Sequence, residues 1–342
     1  MKRIPQLDSL RAIAILAVFA YHGLGIRFLW GGVDLFFILS GFLITGILLE
    51  ARSLPLKGYF LQFYERRARR ILVPYLMFLL VTSCFYGLSW LHHWYLYIFL
   101  TNFLSPLHVP YPHPFGVLWS LAVEEQFYLI WPFAVYFLSC RQLKWLCITL
   151  ITLAPLLRAF VHVGDPGDIY VLTPFRMDLL ATGGLLALMW REKPLWIQQV
   201  GPVAGPSLFL LGVAGFRWLQ HRGINDTSPV PLGYALIFES SLILWLGIMV
   251  YALSGWHVEW LRTRPLRFLG KISYSMYLVH FLFLTLLRGL VHRNQLTVVA
   301  ALVLTIIYAS LSWFLMEKPL LRRKSRASGQ EPLPEPIGIG AI

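Results

Sequence analysis

Apolar windows of about twenty residues recur along the chain near 9–30, 31–50, 71–91, 116–139, 145–163, 174–190, 203–219, 232–253, 272–291 and 296–316, with short polar breaks between them. A helix of that length crosses the ~30 Å hydrocarbon core of a bilayer. A spanning backbone must satisfy its own hydrogen bonds, and no ten-residue alternation suggests a barrel. The pattern therefore predicts an all-α, polytopic membrane protein with about ten transmembrane helices. Residues 92–115 join the apolar run Trp94 to Leu100 to a proline-rich stretch, Pro106 to Pro114. They are read as external or re-entrant, because a span there would send Arg141 and Lys144 outside. With that choice both termini and the loops near 51–70, 140–144, 191–202 and 254–271 face the cytoplasm. Those regions hold roughly three quarters of the Lys and Arg, as the positive-inside rule expects.

Composition strengthens the assignment. Of 342 residues, 58% are hydrophobic and 13% charged, against about a quarter charged in an ordinary soluble domain. Aromatic residues reach 15%, as expected where helix ends meet two bilayer interfaces. These figures exclude collagen-like, disulfide-scaffold and disordered classes. The formal net charge of +13 is attributed to topology, not to nucleic acid. Cys84, Cys140 and Cys147 sit in apolar runs without ligand spacing, so no metal site and no disulfide framework is expected. The first apolar stretch carries Arg11 and His22 and no small-residue cleavage pattern, so it is read as a span and not a signal peptide. One membrane domain, 1–319, is expected, followed by a tail, 320–342, that is basic, then rich in Pro and Gly, cytoplasmic and disordered.

Charged groups inside spans are costly and point to function. Arg11 and His22 lie eleven residues apart in the first span, about three helical turns and roughly 16 Å, so they share a face. Arg11 falls near the cytoplasmic surface and His22 beyond the midplane; snorkelling for Arg11 and an interhelical hydrogen bond for His22 are the structural alternatives. Depth counting brings Glu124 to the level of His22. It also brings Asp34, Arg176, Asp178 and Glu239 toward the outer side, so that all five can face one outer cavity with the imidazole. Carboxylates beside an imidazole fix its tautomer and suit a general base that deprotonates a hydroxyl; interhelical ion pairs, such as Arg176 with a carboxylate, are the alternative. Arg66, Arg69 and Arg70 lie in a basic cluster before the run opening at Ile71. They can hold the phosphates of a cofactor, with Lys271 as a further candidate, or they can serve as a topology signal and anionic-lipid anchor. His92, His93, His108 and His113 are assigned to the surface of the external segment. Ser40-Gly41 and Gly183-Gly184 are assigned to close helix packing.

The ordered segments resemble the acyltransferase-3 family of integral membrane acyltransferases. Arg11 and His22 match its arginine, ten residues, histidine motif. Further matches follow in order: Gly31 to Phe37, Ser40 to Thr45, Arg66-x-x-Arg69 with Arg70 to Tyr75, Trp119 to Tyr128, Phe175 to Asp178, and Ile272 to His280. The resemblance implies transfer of an acyl group, usually acetyl, from cytoplasmic acyl-CoA to a hydroxyl of a glycan, lipid-linked or small-molecule acceptor at the outer face. It implies His22 as the catalytic histidine with Arg11 as its motif partner. Arg66 and Arg69 would be the pair for the CoA phosphates, with Arg70 and Lys271 beside them. Many members append an esterase-like domain; none follows here, so direct acylation of the acceptor is expected.

The expected mechanism has Asp34 or Glu124 orienting His22 as general base, with Arg176, Asp178, Glu239 and His280 lining the acceptor side. An acyl-enzyme route would need an activated Ser or Cys, and none is apparent. A proton-coupled secondary transporter or channel is the rival from another class, and haem ligation by His22 and His280 is a third possibility. The resemblance places the protein in a bacterial inner membrane, with membrane lipids as neighbours, no resident metal and no nucleic-acid partner.

Overall fold

The computed structural model describes residues 4–161, 166–224, 231–290 and 294–320. Among the described residues it is all-α with no strand: α1 (Gln6–Leu24), α2 (Gly32–Ala51), α3 (Leu56–Tyr86), α4 (Leu118–Phe137), α5 (Cys140–Phe160), α6 (Pro166–Val171), α7 (Met177–Glu192), α8 (Pro194–His221), α9 (Pro231–Ser254), α10 (Arg264–Leu290) and α11 (Gln295–Ser312). Eight helices are long and apolar enough to cross a bilayer, which makes the chain an integral membrane protein. The windows at 116–139 and 174–190 also fold as helices, α4 and α7. However, the 16 residues of α7 reach only ~24 Å at 1.5 Å per residue, and α4 interrupts its apolar run with Glu124-Glu125-Gln126. Of the tail expected over 320–342, all but Leu320 lies outside the described residues.

The bundle is built around α2, whose candidate span is 94% buried. Its closest partner is α7: a Cβ on Gly41 would stand 1.9 Å from the Leu180 carbonyl oxygen, and one on Gly183 would stand 2.1 Å from that of Ile38. Only glycine lets the two backbones meet, which is the small-residue packing expected of these positions. The candidate spans of α5, α8 and α11 are 22–28% buried. Their exposed Leu153, Leu156, Leu210, Leu211, Val299 and Ile307 form an apolar outer rim, suited to lipid tails.

Residues 89–117 contain no α-helix; they run through short 3-10 turns, in keeping with a segment that does not span. The segment is nevertheless tied down. The Gln126 amide donates to the Phe99 carbonyl and to Asn102 Oδ1, both at 3.0 Å, and Asn102 donates to Thr173 Oγ1 at 3.1 Å. Tyr75 donates to the Leu96 carbonyl at 2.9 Å. These polar contacts tie an irregular backbone to the helices.

Candidate active site

His22 lies in the last turn of α1, half-buried, just before the helix stops at Gly25 with φ 71°. The end of α1 is held from α10, where Arg288 donates to the carbonyls of His22 (2.6 Å) and Gly23 (2.9 Å). The partner of the imidazole is also on α10: Nε2 of fully buried His280 lies 3.1 Å from His22 Nδ1. His280 Nδ1 lies 2.6 Å from the Tyr277 carbonyl oxygen, which can only accept. Its partners therefore assign the proton of neutral His280 to Nδ1, leaving Nε2 as an acceptor. His22 must then donate through Nδ1–H, and its own Nε2 carries the free lone pair.

His22 opens onto a cavity of about 240 Å³ lined by, among others, Tyr21, Trp30, Trp119, Tyr170, Tyr277 and Phe281. Tyr111 and His113, both exposed, form its mouth. The Phe281 ring centroid is 4.9 Å from that of His22 and 4.8 Å from that of His113. His113, assigned to the surface from sequence, thus belongs to the His22 cavity. A second recess of about 30 Å³ shares Val33 and Tyr277 with the first and is reached by Ser120, Glu124 and Tyr274. Tyr277 stands at the junction, bonded to Ser120 Oγ at 2.5 Å and donating to the Val117 carbonyl at 2.9 Å.

The ionic residues expected to share the outer cavity do not line it. Asp34 accepts from Arg176 and, at 2.6 Å, from Ser241. Arg158 donates to Asp178 at 2.6 Å, to the Phe175 carbonyl at 2.5 Å and to Glu239. All of these groups stand behind the aromatic wall: the Arg176 guanidinium packs 5.7 Å from the Trp119 ring centroid and 5.1 Å from that of Tyr170. Glu124 faces the other way, with Tyr128 donating to it at 3.3 Å. Neither Asp34 nor Glu124 contacts His22, so the expected orienting carboxylate is replaced by His280. Depth counting sets the height of a side chain but not the direction it faces.

Arg11 is fully buried, not snorkelling, and pairs with Asp8 at 3.6 Å. The arginine cluster of α3 divides by helical face. Arg66 and Arg69 are exposed, Arg69 pairing with Glu65 at 2.7 Å, while Arg67 and Arg70 are buried. Arg67 lies 4.7 Å above the Tyr128 ring, and Arg70 Nε meets no hydrogen-bond partner among the described residues. Tyr274 donates to the Ile71 carbonyl at 3.2 Å, which brings the turn of α10 carrying half-buried Lys271 to the same end of the bundle. No group of three or more His, Cys, Asp or Glu suited to a metal occurs among the described residues.

A model of a family described as an acyltransferase domain matches residues 4–317. The chain belongs to this family. Its relatives include the O-acetyltransferase OatA of Staphylococcus aureus, 29% identical over 363 residues that cover 95% of this chain and 58% of that protein. A putative peptidoglycan O-acetyltransferase, YrhL of Bacillus subtilis, is 32% identical over 355 residues, 93% of this chain and 55% of the relative. Peptidoglycan O-acetyltransferase OatA of Listeria monocytogenes is 31% identical over 369 residues, 93% and 56% of the two chains. The chain therefore spans little more than half the length of these relatives. No solved structure matches. These bacterial relatives are consistent with an inner-membrane location for this protein.

Sequence reasoning passed over several residues near the site. Arg158 lies within an apolar window, where the rule applied to Arg11 singles it out equally. Arg67 differs from Arg66 and Arg69 by facing the core, and the apolar Phe63 and Ile71 flanking it one turn either way are buried on the same side. Arg288, within the window 272–291, carries the same signal as Arg158, whereas His113 had none, since its contacts depend on how distant segments dock.

Proposed function

We propose that this acyltransferase moves an acetyl group from acyl-CoA to a hydroxyl of a cell-wall glycan, with His22 as the general base. The observation that carries the proposal is the His22–His280 pair, which leaves His22 Nε2 unprotonated beside a cavity that Tyr277 separates from a small recess reaching Glu124. The donor enters from the arginine end, which is the cytoplasmic one with both termini on that side, and residues 1–319 form the catalytic unit. Arg70, buried and lacking a partner at Nε, fits a phosphate oxygen, with Arg66, Arg69 and Lys271 nearer the surface. Arg11, paired with Asp8, holds the core between α1 and α3. The acyl arm follows the Ser120 and Glu124 face of α4 to the junction at Tyr277. The paired ions Asp34, Arg176, Asp178 and Glu239 act on the acceptor only indirectly, by fixing the cavity wall.

In the transfer, His22 Nε2 takes the proton of the acceptor hydroxyl as its oxygen attacks the thioester carbonyl carbon. The new C–O bond forms, the C–S bond breaks, and the departing thiolate recovers the proton from the imidazolium, so no net proton is released. While charged, His22 keeps its Nδ1–H bond to His280. The test is thiol release and ester formation from acetyl-CoA by the purified protein, beside His22→Ala and Arg70→Ala. His22→Ala should bind donor yet transfer nothing; turnover by that variant would overturn the scheme.

A further inference from the structure

The cavity mouth carries information about the acceptor that neither the motifs nor the relatives supply. Among the described residues, no Asp, Glu, Lys or Arg lines the His22 cavity. The nearby cations are committed elsewhere: Arg176 to Asp34, Arg158 to Asp178 and Glu239, and Arg288 to the carbonyls of His22 and Gly23. Its surfaces are aromatic faces edged by phenol hydroxyls, two indoles and two imidazoles. A pyranose ring has the same character, with C–H faces that pack on rings and a rim of hydroxyls. At about 240 Å³ the space falls below the ~300–1,000 Å³ of typical small-molecule sites, so it admits one ring and not a run of several. A carboxylate carried into this lining would lose its hydration and find no cation among the lining residues. The same group capped as an amide needs none.

The two residues at the mouth both come from the irregular 89–117 segment, which is anchored by Gln126, Asn102 and Thr173. His113 is fixed there by stacking on Phe281, at 22° between ring planes, and the same ring packs against His22. A group held by His113 is therefore presented on the side from which His22 Nε2 must be reached. Opposite the mouth, Arg176 sets the planes of Trp119 and Tyr170 from behind.

We infer that Tyr111 and His113 form the acceptor-specificity element of this site, and that it selects a single uncharged, hydroxyl-bearing sugar ring over the same ring carrying a free carboxylate. The inference rests on the acetyl-transfer proposal, and the experiment separates the two. The wild-type protein is supplied with acetyl-CoA and either N-acetylmuramic acid or its N-methylamide, which share every hydroxyl and differ in one charge. Thiol release and sugar ester are measured at about pH 8, above the ordinary histidine range.

The amide should be favoured at least tenfold in kcat/KM. Tyr111→Ala and His113→Leu, both at exposed positions, should each raise the KM for the amide about five- to tenfold while the KM for acetyl-CoA stays within twofold. Acid and amide used within twofold of each other would overturn the inference, as would mouth variants with a wild-type acceptor KM. Thiol release with neither sugar esterified would overturn it too. No thiol release under any condition would instead overturn the proposal beneath it.

Discussion

Replacing His280 tests the central geometry without touching the reacting atoms. His280→Leu keeps similar volume in a fully buried site but removes the acceptor 3.1 Å from His22 Nδ1. In the resting state the lost bond joins two neutral rings and is worth about 1 kcal/mol net, whereas a bond to a charged donor is worth ~1.5–3 kcal/mol. Only the increment that appears as His22 takes up the proton slows the chemical step. That increment, ~1–2 kcal/mol, corresponds to a fall in kcat of roughly 5–30-fold. The KM for acetyl-CoA should stay near wild type, because the proposal places the donor's phosphates at the other end of the bundle. His280→Gln restores an acceptor oxygen near the Nε2 position and should recover most of the loss, to within about threefold of wild type by the same arithmetic. Initial rates of thiol release in a matched detergent, with thermal unfolding as the control for folding, decide the matter. Wild-type kcat in a folded His280→Leu protein would refute the reasoning, as would a Gln variant no better than Leu.

Arg158→Met strands the buried carboxylate of Asp178 and the one on Glu239, and should lower stability by ~3–5 kcal/mol, read as a drop in Tm in detergent. Gly183→Ala puts a methyl group 2.1 Å from the Ile38 carbonyl oxygen. Parting α2 from α7 should cost at least ~1–3 kcal/mol in the same assay, more than Gly289→Ala, where a Cβ meets open space. Arg70→Ala should raise the donor KM about tenfold, the loss of a single charge-assisted contact of ~1.5 kcal/mol. It should leave the Tm unchanged or higher, since it removes a buried guanidinium whose Nε is unpartnered. A lowered Tm with an unchanged KM would assign Arg70 a purely structural role.

Much of the fold was legible because the bilayer enforces it: a run of about twenty apolar residues has few options besides helix. Each of the ten windows contains one, and Gly41 with Gly183 marked the close contact of α2 with α7. The chemistry was legible one residue at a time, since Arg11, His22, Asp34, Glu124, Arg176, Asp178 and Glu239 all stand out as costly inside a span. Their grouping was not. Asp34 could be placed near the level of His22, but its contact with Arg176 of the turn before α7, and not with His22, follows from the packing that Gly41 and Gly183 permit. His280 was singled out as an acceptor-side residue, yet its role depends on α10 lying against α1 with the two imidazoles at one height. His113 sits in a proline-rich stretch without periodicity, so no pattern could carry it to Phe281.

The separation of charge from cavity has a physical rationale. Ions inside a bundle must be paired or they cost several kcal/mol each, and the pairs Arg176–Asp34 and Arg158–Asp178 meet that demand at full burial. Set directly in the cavity wall, they would draw water to the site where, in the proposed reaction, a thioester meets a hydroxyl. The rings of Trp119, Tyr170 and Phe238 stand instead between the ions and the open space or pack upon the ions, with the Arg176 guanidinium 4.7–5.7 Å from their centroids. The same economy appears at the junction. The second recess, at about 30 Å³, is close to the volume of one water molecule in the liquid, so the Tyr277–Ser120 contact closes the route when no acyl arm is threaded through it. An arm passing there must displace Tyr277, whose backbone carbonyl is the acceptor that sets the His280 tautomer. In the proposed scheme, arrival of the donor and readiness of the base therefore share one residue.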